Sequence, residues 1–248
     1  QAKLMQGALI NIGQNVTFMV EDNSDNKISI KPVLANEQQA VLIDKALEAA
    51  GLGATDDNIN IVKEADDDRI MKEYPVDFIS FSYYMSSCEA ADKTGLDVTP
   101  GNTILAVKNP YLETSQWGWQ IDPLGLRISL VELYDRYRKP LFIVENGLGA
   151  RDVLTEDKKV HDQYRIEYLK KHFECMLDAI VEDGVELMGY TSWACIDLIS
   201  ESTKQISKRY GYIYVDIDDY GNGTYNRYRK DSFYWYKKVI ENNSVDFE

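Results

Sequence analysis

The sequence predicts an α/β fold built on a parallel sheet, and three observations carry that expectation. From about Asn58 onward, apolar strand-like runs alternate with long helical stretches, the rhythm of strand–helix–strand units with right-handed crossovers. Leu141 to Val144 is an apolar run suited to a strand buried on both faces. That strand ends on a carboxylate, Glu145, and breaks at Asn146-Gly147, a strong turn signal. Only about three core strands can be counted after residue 58, too few to close a barrel of eight. No internal repeat is apparent.

The elements follow in order. Ala8 to Val20 is a mixed apolar stretch, strand-like toward Val16-Thr-Phe-Met-Val20. Glu21 to Asn26 is a polar turn, and Lys27 to Val33 alternates as a short strand before Pro32 interferes. Asn36 reads as the N-cap of a helix that runs through Ala50 and stops at Gly51. Gly51 to Asp57 is a linker of small and acidic residues. The chain is therefore divided into residues 1–57, an α+β segment of separate character, and residues 58–248. In the second part, Asp67 to Glu73 is helical, Val76 to Ser82 is a buried strand, and Cys88 to Lys108 is a long loop. Pro123 to Arg138 begins as a turn and becomes a helix with Leu126, Leu130, Leu133, Tyr134 and Tyr137 on one stripe. The strand to Glu145 is next. A long helix from Asp162 to Glu182 turns Tyr168, Phe173, Met176, Leu177 and Ile180 inward. Leu187 to Trp193 is another strand, followed by a loop from Ser200 to Lys208, the stretch Tyr210 to Asp216, and a terminal helix from Ser232 to Ile240.

Composition narrows the function classes. A net charge of −14 argues against nucleic acid or an anionic membrane as the main partner, since both need basic patches. It leaves room for a local cationic pocket that takes one small anion. The 17 Tyr and 4 Trp are many, and such residues line sugar sites as well as fill cores. Cys88, Cys175 and Cys195 are odd in number and far apart, which suggests neither a disulfide framework nor a zinc site and points to reduced, cytoplasmic thiols. No apolar run is long enough for a transmembrane helix, and no signal peptide is evident. The chain begins with Gln1, as a piece of a longer or processed product would.

Metal and cofactor chemistry find little support. His161 and His172 match no ligand spacing. Asp216-x-Asp218 with Gly221 mimics the opening of a calcium loop, but Tyr220 and Arg227 stand where an oxygen ligand and the closing Glu belong. Gly51-x-Gly53 lacks the third glycine of a dinucleotide site. No cofactor and no metal are expected.

Four clusters carry candidate chemistry. Glu145 closes a buried strand, where barrel enzymes place their catalytic groups, so it is a candidate nucleophile or acid. Trp193 closes the next strand and could stack on a ligand or donate its indole N–H. Ser200, Lys208 and Tyr210 gather a hydroxyl, an ammonium and a phenol around one loop, a set able to bind phosphate. Tyr83 falls just past a strand and could hydrogen-bond the Glu145 carboxylate across the sheet. Each also has an ordinary reading: a turn carboxylate, a core-rim Trp, a solvated Lys-Arg pair, a packed Tyr pair.

Taken together the segments resemble the C-terminal half of a retaining β-glycosidase of glycoside hydrolase family 1, in particular its 6-phospho-β-glucosidase members. The matching text is Asp77-Phe-Ile-Ser-Phe-Ser-Tyr-Tyr84, Asn109-Pro-Tyr111, Trp117 through Arg127, Phe142-Ile-Val-Glu-Asn-Gly147, Gly189-Tyr-Thr-Ser-Trp193, Ser207-Lys-Arg-Tyr-Gly211 and Ser232 through Lys237. The resemblance implies a (β/α)8 barrel of which this chain holds the C-terminal part, about the last three strands. It also implies hydrolysis of 6-phospho-β-glucosides, with Glu145 on the nucleophile, Tyr83 on the tyrosine that contacts it, and Trp193 on the tryptophan that binds sugar hydroxyls. Ser200, Lys208 and Tyr210 match the phosphate-binding set. Ser200-Glu201 stands where members acting on plain glucosides carry Glu-Trp, and Glu201 argues against a 6-phosphogalactosidase.

One departure is sharp. The acid/base Glu of the family belongs to an Asn-Glu pair on an earlier strand, in the half not recognised here. Asn36-Glu37 is the only earlier Asn-Glu, and its helix-like setting does not read as a strand end. The expected partners are a phosphorylated β-glucoside and either a second copy or a complementing barrel half. A sugar-phosphate-binding module without turnover is the alternative.

Overall fold

The computed structural model describes residues 9–12, 16–23, 27–32, 65–100 and 105–246. The helix expected from Asn36, its Glu37 and the linker after Gly51 lie outside them. Two compact units form, Gln1–Val76 and Asp77–Glu248.

The first unit contains an antiparallel meander of β1 (Leu9–Ile12), β2 (Val16–Asn23) and β3 (Lys27–Pro32). Met19 sits opposite Leu9 on one side and Lys31 on the other. β2 runs to Asn23, into the stretch read as a polar turn from Glu21. A short helix, α1 (Asp67–Glu73), carries acidic residues in its first turn and an Arg69–Glu73 ion pair of 2.8 Å along its face.

The second unit is organised by a parallel sheet of three strands, β4 (Ile79–Ser82), β7 (Leu141–Glu145) and β8 (Leu187–Tyr190), with β7 in the middle. Ile79 pairs with Leu141, and Leu141 with Leu187. The central strand is thus the apolar run singled out by the sequence. Leu141 and Ile143 are fully buried.

Two helices cover one face. In α2 (Pro123–Tyr137) the side chain of Asp122 accepts the Gly125 N–H at 2.9 Å, Pro123 opens the first turn, and Arg138 closes the helix in the left-handed region. Its Leu126 and Leu130 pack with Ile79, Leu141 and Ile143 in one core. Tyr137, expected on that stripe, is exposed. In α3 (Gln163–Val181) the buried side chains include Ile166, Tyr168, Leu169, His172 and Phe173, spaced three and four apart. Leu177 and Ile180 turn toward solvent instead of inward. Tyr168, Leu169 and Phe173 build a second core with Tyr212, and α4 (Asp231–Asn242) adds Phe233, Trp235 and Tyr236 to it.

The stretch from Cys88 to Lys108, read as loop, contains a small antiparallel pair, β5 (Val98–Pro100) with β6 (Leu105–Val107). A second pair joins β9 (Ile213–Val215) to β10 (Arg227–Arg229). Among the described residues no helix is long and apolar enough to cross a membrane.

Candidate active site

The site builds on the C-terminal ends of β4 and β7. Ser82 pairs with Glu145 after a register shift between Phe81 and Ser82. The Tyr83 N–H donates to the Glu145 carbonyl at 2.9 Å. Two hydroxyls then reach the carboxylate: Ser82 Oγ at 2.9 Å and Tyr84 OH at 3.0 Å, both on Oε2. Burial, and then the neighbouring Glu145 charge, push the Tyr84 phenol well above its ordinary range. It is therefore a standing donor.

Tyr83, expected to orient Glu145, does not do so. Its hydroxyl donates to the carbonyl of Asp122 at 2.7 Å, and its ring is buried in the core with Ile79 and Phe81. Alternation explains the correction. Residues 79, 81 and 83 share one face of the strand and its extension, so 82 and 84 point the other way. Gly125 completes the arrangement, because a Cβ there would lie 2.3 Å from the Tyr83 hydroxyl.

Asn146, legible in the sequence only as a turn signal, is fully buried. Its amide donates to the Tyr83 carbonyl at 2.7 Å and to Tyr168 OH at 3.0 Å, and its oxygen accepts from Tyr190 OH at 2.9 Å. Tyr168 OH in turn donates to the Tyr84 carbonyl at 3.1 Å. One amide thus ties the ends of all three strands to α3. The Trp193 N–H donates to the Asn146 carbonyl at 2.8 Å, which holds that residue against the turn after Glu145. The strand itself ends at Tyr190, short of Trp193.

The third group lies beyond that turn. Ala150 and Arg209 exchange two backbone hydrogen bonds of 2.9 Å, which joins the loop after β7 to the segment holding Lys208 and Tyr210. Lys208 is 2% exposed. Its ammonium sits 4.0 Å from the centre of the Trp119 ring, 5.5 Å from Trp117 and 5.6 Å from Tyr210. Among the described residues no carboxylate comes within ion-pair distance of it. Burial lowers its pKa to about 8. Ser200 is also buried, and its hydrogen bond to Tyr210 offsets part of the rise that burial imposes on that phenol. Glu201 points away and pairs with Lys204 at 2.6 Å.

The two ends of the site meet through Trp119. Its ring meets Tyr84 edge-on at 5.7 Å, and Lys208 caps it. From the carboxylate of Glu145 to the unpaired ammonium of Lys208 the path is Tyr84 and then Trp119. The sequence motif included Trp117 and Trp119, but nothing in their spacing announced a wall around a lysine.

Behind this surface lies a balanced ionic cluster. Arg165 pairs with Asp152 at 2.7 Å and Asp162 at 2.9 Å, Lys230 pairs with Asp197 at 2.7 Å and with Asp152, and Arg209 pairs with Asp197 at 3.0 Å. Arg209 also donates to the carbonyls of Val215 and Ile217 at 2.9 and 2.7 Å, so the residue next to Lys208 is clamped. Neither histidine joins the site. His161 meets Asp231 at 2.7 Å, and His172 is buried against the Tyr168 carbonyl with its pKa lowered to about 4 by burial. The Asp216 to Asn222 stretch is a turn in which Asp218 accepts from Tyr220 and Asn222.

Similarity to known proteins agrees with this geometry. Residues 38–245 match the family described as Glycosyl hydrolase family 1, a match that begins ahead of the 57/58 boundary read from the motifs. A 6-phospho-beta-glucosidase of Clostridium longisporum is 58% identical over 197 residues, 78% of this chain and 41% of its own length. The 6-phospho-beta-glucosidase AscB of Escherichia coli is 54% identical over 190 residues, 77% of this chain and 40% of its own. A family 1 β-glucosidase structure from Thermotoga maritima, in complex with isofagomine lactam, superposes with a TM-score of 0.62 at 32% identity, covering 81% of this chain and 41% of that one. The chain thus spans about two fifths of the length of the relatives it matches. It belongs to glycosyl hydrolase family 1, and its parallel sheet is the C-terminal part of that family's (β/α)8 barrel.

Proposed function

We propose that this chain carries the nucleophile and phosphate-binding part of a retaining 6-phospho-β-glucosidase, and that a complementing part of the barrel supplies the proton donor. The observation that carries the reading is the path from Glu145 through Tyr84 and Trp119 to Lys208, at 3.0, 5.7 and 4.0 Å. It sets a carboxylate and an unpaired buried cation at one end of one sheet.

Retaining hydrolysis needs two carboxyls about 5–5.5 Å apart. Ser82 and Tyr84 both hold Oε2 of Glu145, which leaves Oε1 to attack the anomeric carbon. As that bond forms, the bond to the leaving oxygen breaks, and the oxygen takes a proton from the second carboxyl. The resulting glycosyl ester is cleaved by water, with the second carboxyl now acting as base, and 6-phosphoglucose departs. Lys208 supplies charge to the 6-phosphate, Ser200 and Tyr210 supply hydroxyl donors, and Trp193 faces the sugar hydroxyls. The unit Asp77–Glu248 holds this part of the barrel. The three cysteines are unpaired, which suits a cytoplasmic enzyme acting on a sugar phosphate.

The buried Lys208 cation serves binding whether or not turnover follows, which leaves one rival, a module that binds sugar phosphate without turnover. The two are separated by adding the preceding barrel portion of a close relative as a second chain and measuring release from a chromogenic 6-phospho-β-glucoside. Turnover that appears on mixing and is lost in Glu145→Gln is the expected result. Tight glucose 6-phosphate binding with no turnover in any mixture would establish the module instead.

A further inference from the structure

Beside Lys208 lies a residue defined by what it lacks. A Cβ placed on Gly149 would stand 2.9 Å from Lys208 Cε, 3.0 Å from Lys208 Cγ and 3.1 Å from Tyr210 Cε1. The backbone does not ask for glycine there, because its φ is not in the left-handed region. Nor can the two segments drift apart to make room. The adjacent Ala150 is held to Arg209 by two hydrogen bonds of 2.9 Å, and the Arg209 guanidinium is fixed by Asp197 and two carbonyls. On the far side, Trp119 already stands 4.0 Å from the ammonium. Lys208 and Tyr210 are 2% and 5% exposed, so neither has a solvent-side escape.

We infer that Gly149 is a positioning residue for phosphate specificity: the absence of a side chain at 149 leaves the space in which the Lys208 stem and the Tyr210 ring converge on the anion. The inference rests on the sugar-phosphate reading of Lys208 and Tyr210 and adds a residue that touches no ligand itself. A single methyl at 149 meets the Cγ and Cε of a lysine stem and the edge of a ring, side-chain atoms and no backbone, so those side chains yield first. The ammonium leaves its place on Trp119, while Glu145 and its donors, Ser82 and Tyr84, stay where they are.

The test uses the full chain and its Gly149→Ala variant, with two readouts. Calorimetric titration with glucose 6-phosphate is expected to show an affinity at least about tenfold weaker in the variant, the scale of a small misplacement of one binding group. Trace acylation with acetic anhydride between pH 7 and 9, read at Lys208 by mass spectrometry, is expected to change by about threefold or more, equivalent to half a pKa unit. Circular dichroism should show the native spectrum. Unchanged affinity in the variant overturns the inference, as does unchanged Lys208 reactivity. A variant that fails to fold overturns it as well, because the lysine was then not the element that gave way. If the unmodified chain takes up no glucose 6-phosphate at all, the sugar-phosphate reading fails, while the acylation comparison still decides whether Gly149 sets the place of Lys208.

Discussion

Ser82 and Tyr84 both donate to the same oxygen of Glu145, so the two oxygens of that carboxylate are not equivalent. One is held and the other is presented. Lys208 is prepared in a different way: it is buried among aromatic rings, and burial lowers its pKa to about 8. This fixes a pH dependence for ligand uptake. A bound phosphate dianion favours the ammonium, so above about pH 8 binding must also take up a proton. Affinity for glucose 6-phosphate, followed by titration calorimetry, should be nearly flat between about pH 7 and 8, where the phosphate is a dianion, and fall about tenfold per pH unit above it. Lys208→Ala should lose affinity and this inflection together. For stability the sign is opposite: the folded pKa lies below the unfolded one, so the penalty of burying the ammonium is present below pH 8 and is relieved as pH rises toward about 10.5. At this scale the sequence singled out Glu145 and Lys208 through motif and strand end, and the structure ends β7 on the first and buries the second. It misplaced the oriented hydroxyl by one residue because Tyr83 and Tyr84 are chemically identical. Only the alternation with Ile79 and Phe81 tells which of them faces the core.

Asn146 is the joint between elements. It satisfies a carbonyl after β4, a phenol from α3 and a phenol from β8 with one side chain. Asn146→Ala leaves the Tyr83 carbonyl and the Tyr190 hydroxyl without this partner, while Tyr168 keeps its bond to the Tyr84 carbonyl, and thermal or urea unfolding should register a loss of about 3 kcal/mol. A loss under about 1 kcal/mol would mean that water replaces the amide without cost. The regular elements were legible where a hydrophobic run or stripe had one reading. The Leu141–Glu145 strand is as expected, and the helix read from Asp162 to Glu182 matches α3 nearly end to end. Short pairs such as β5 with β6 were not, because strands this brief are set by their partner rather than by their own pattern. Leu177 and Ile180 were placed inward because the stripe was drawn too wide for a helix covered on one side.

At the largest scale, the parallel sheet among the described residues has three strands, in a family whose barrel closes with eight. Among the described residues β4 and β8 each pair on one side only. Val144 and Met188 are exposed at 37% and 57%, unusual for strands of a parallel sheet. Open edges of this kind favour association. Sedimentation equilibrium should show self-association of the chain that is replaced by a one-to-one complex when the preceding barrel portion of a relative is added. A strictly monomeric chain that ignores the added portion would contradict the complementation reading. The family was legible as text, whereas the packing of Lys208 against Trp119 was not, since it joins segments far apart in sequence.

The most direct test of the central claim reads Glu145 in a reaction that calls on no proton donor. A dinitrophenyl leaving group needs no protonation to depart, so a 2-deoxy-2-fluoro-β-glucoside 6-phosphate carrying it should esterify this chain unaided. Mass spectrometry of the digested protein is predicted to find the fluoro-sugar phosphate on Glu145, formed more slowly in Tyr84→Phe and at the unmodified rate in Tyr83→Phe. A glycosyl adduct on any other residue, or none on Glu145 while glucose 6-phosphate demonstrably binds, would contradict the account.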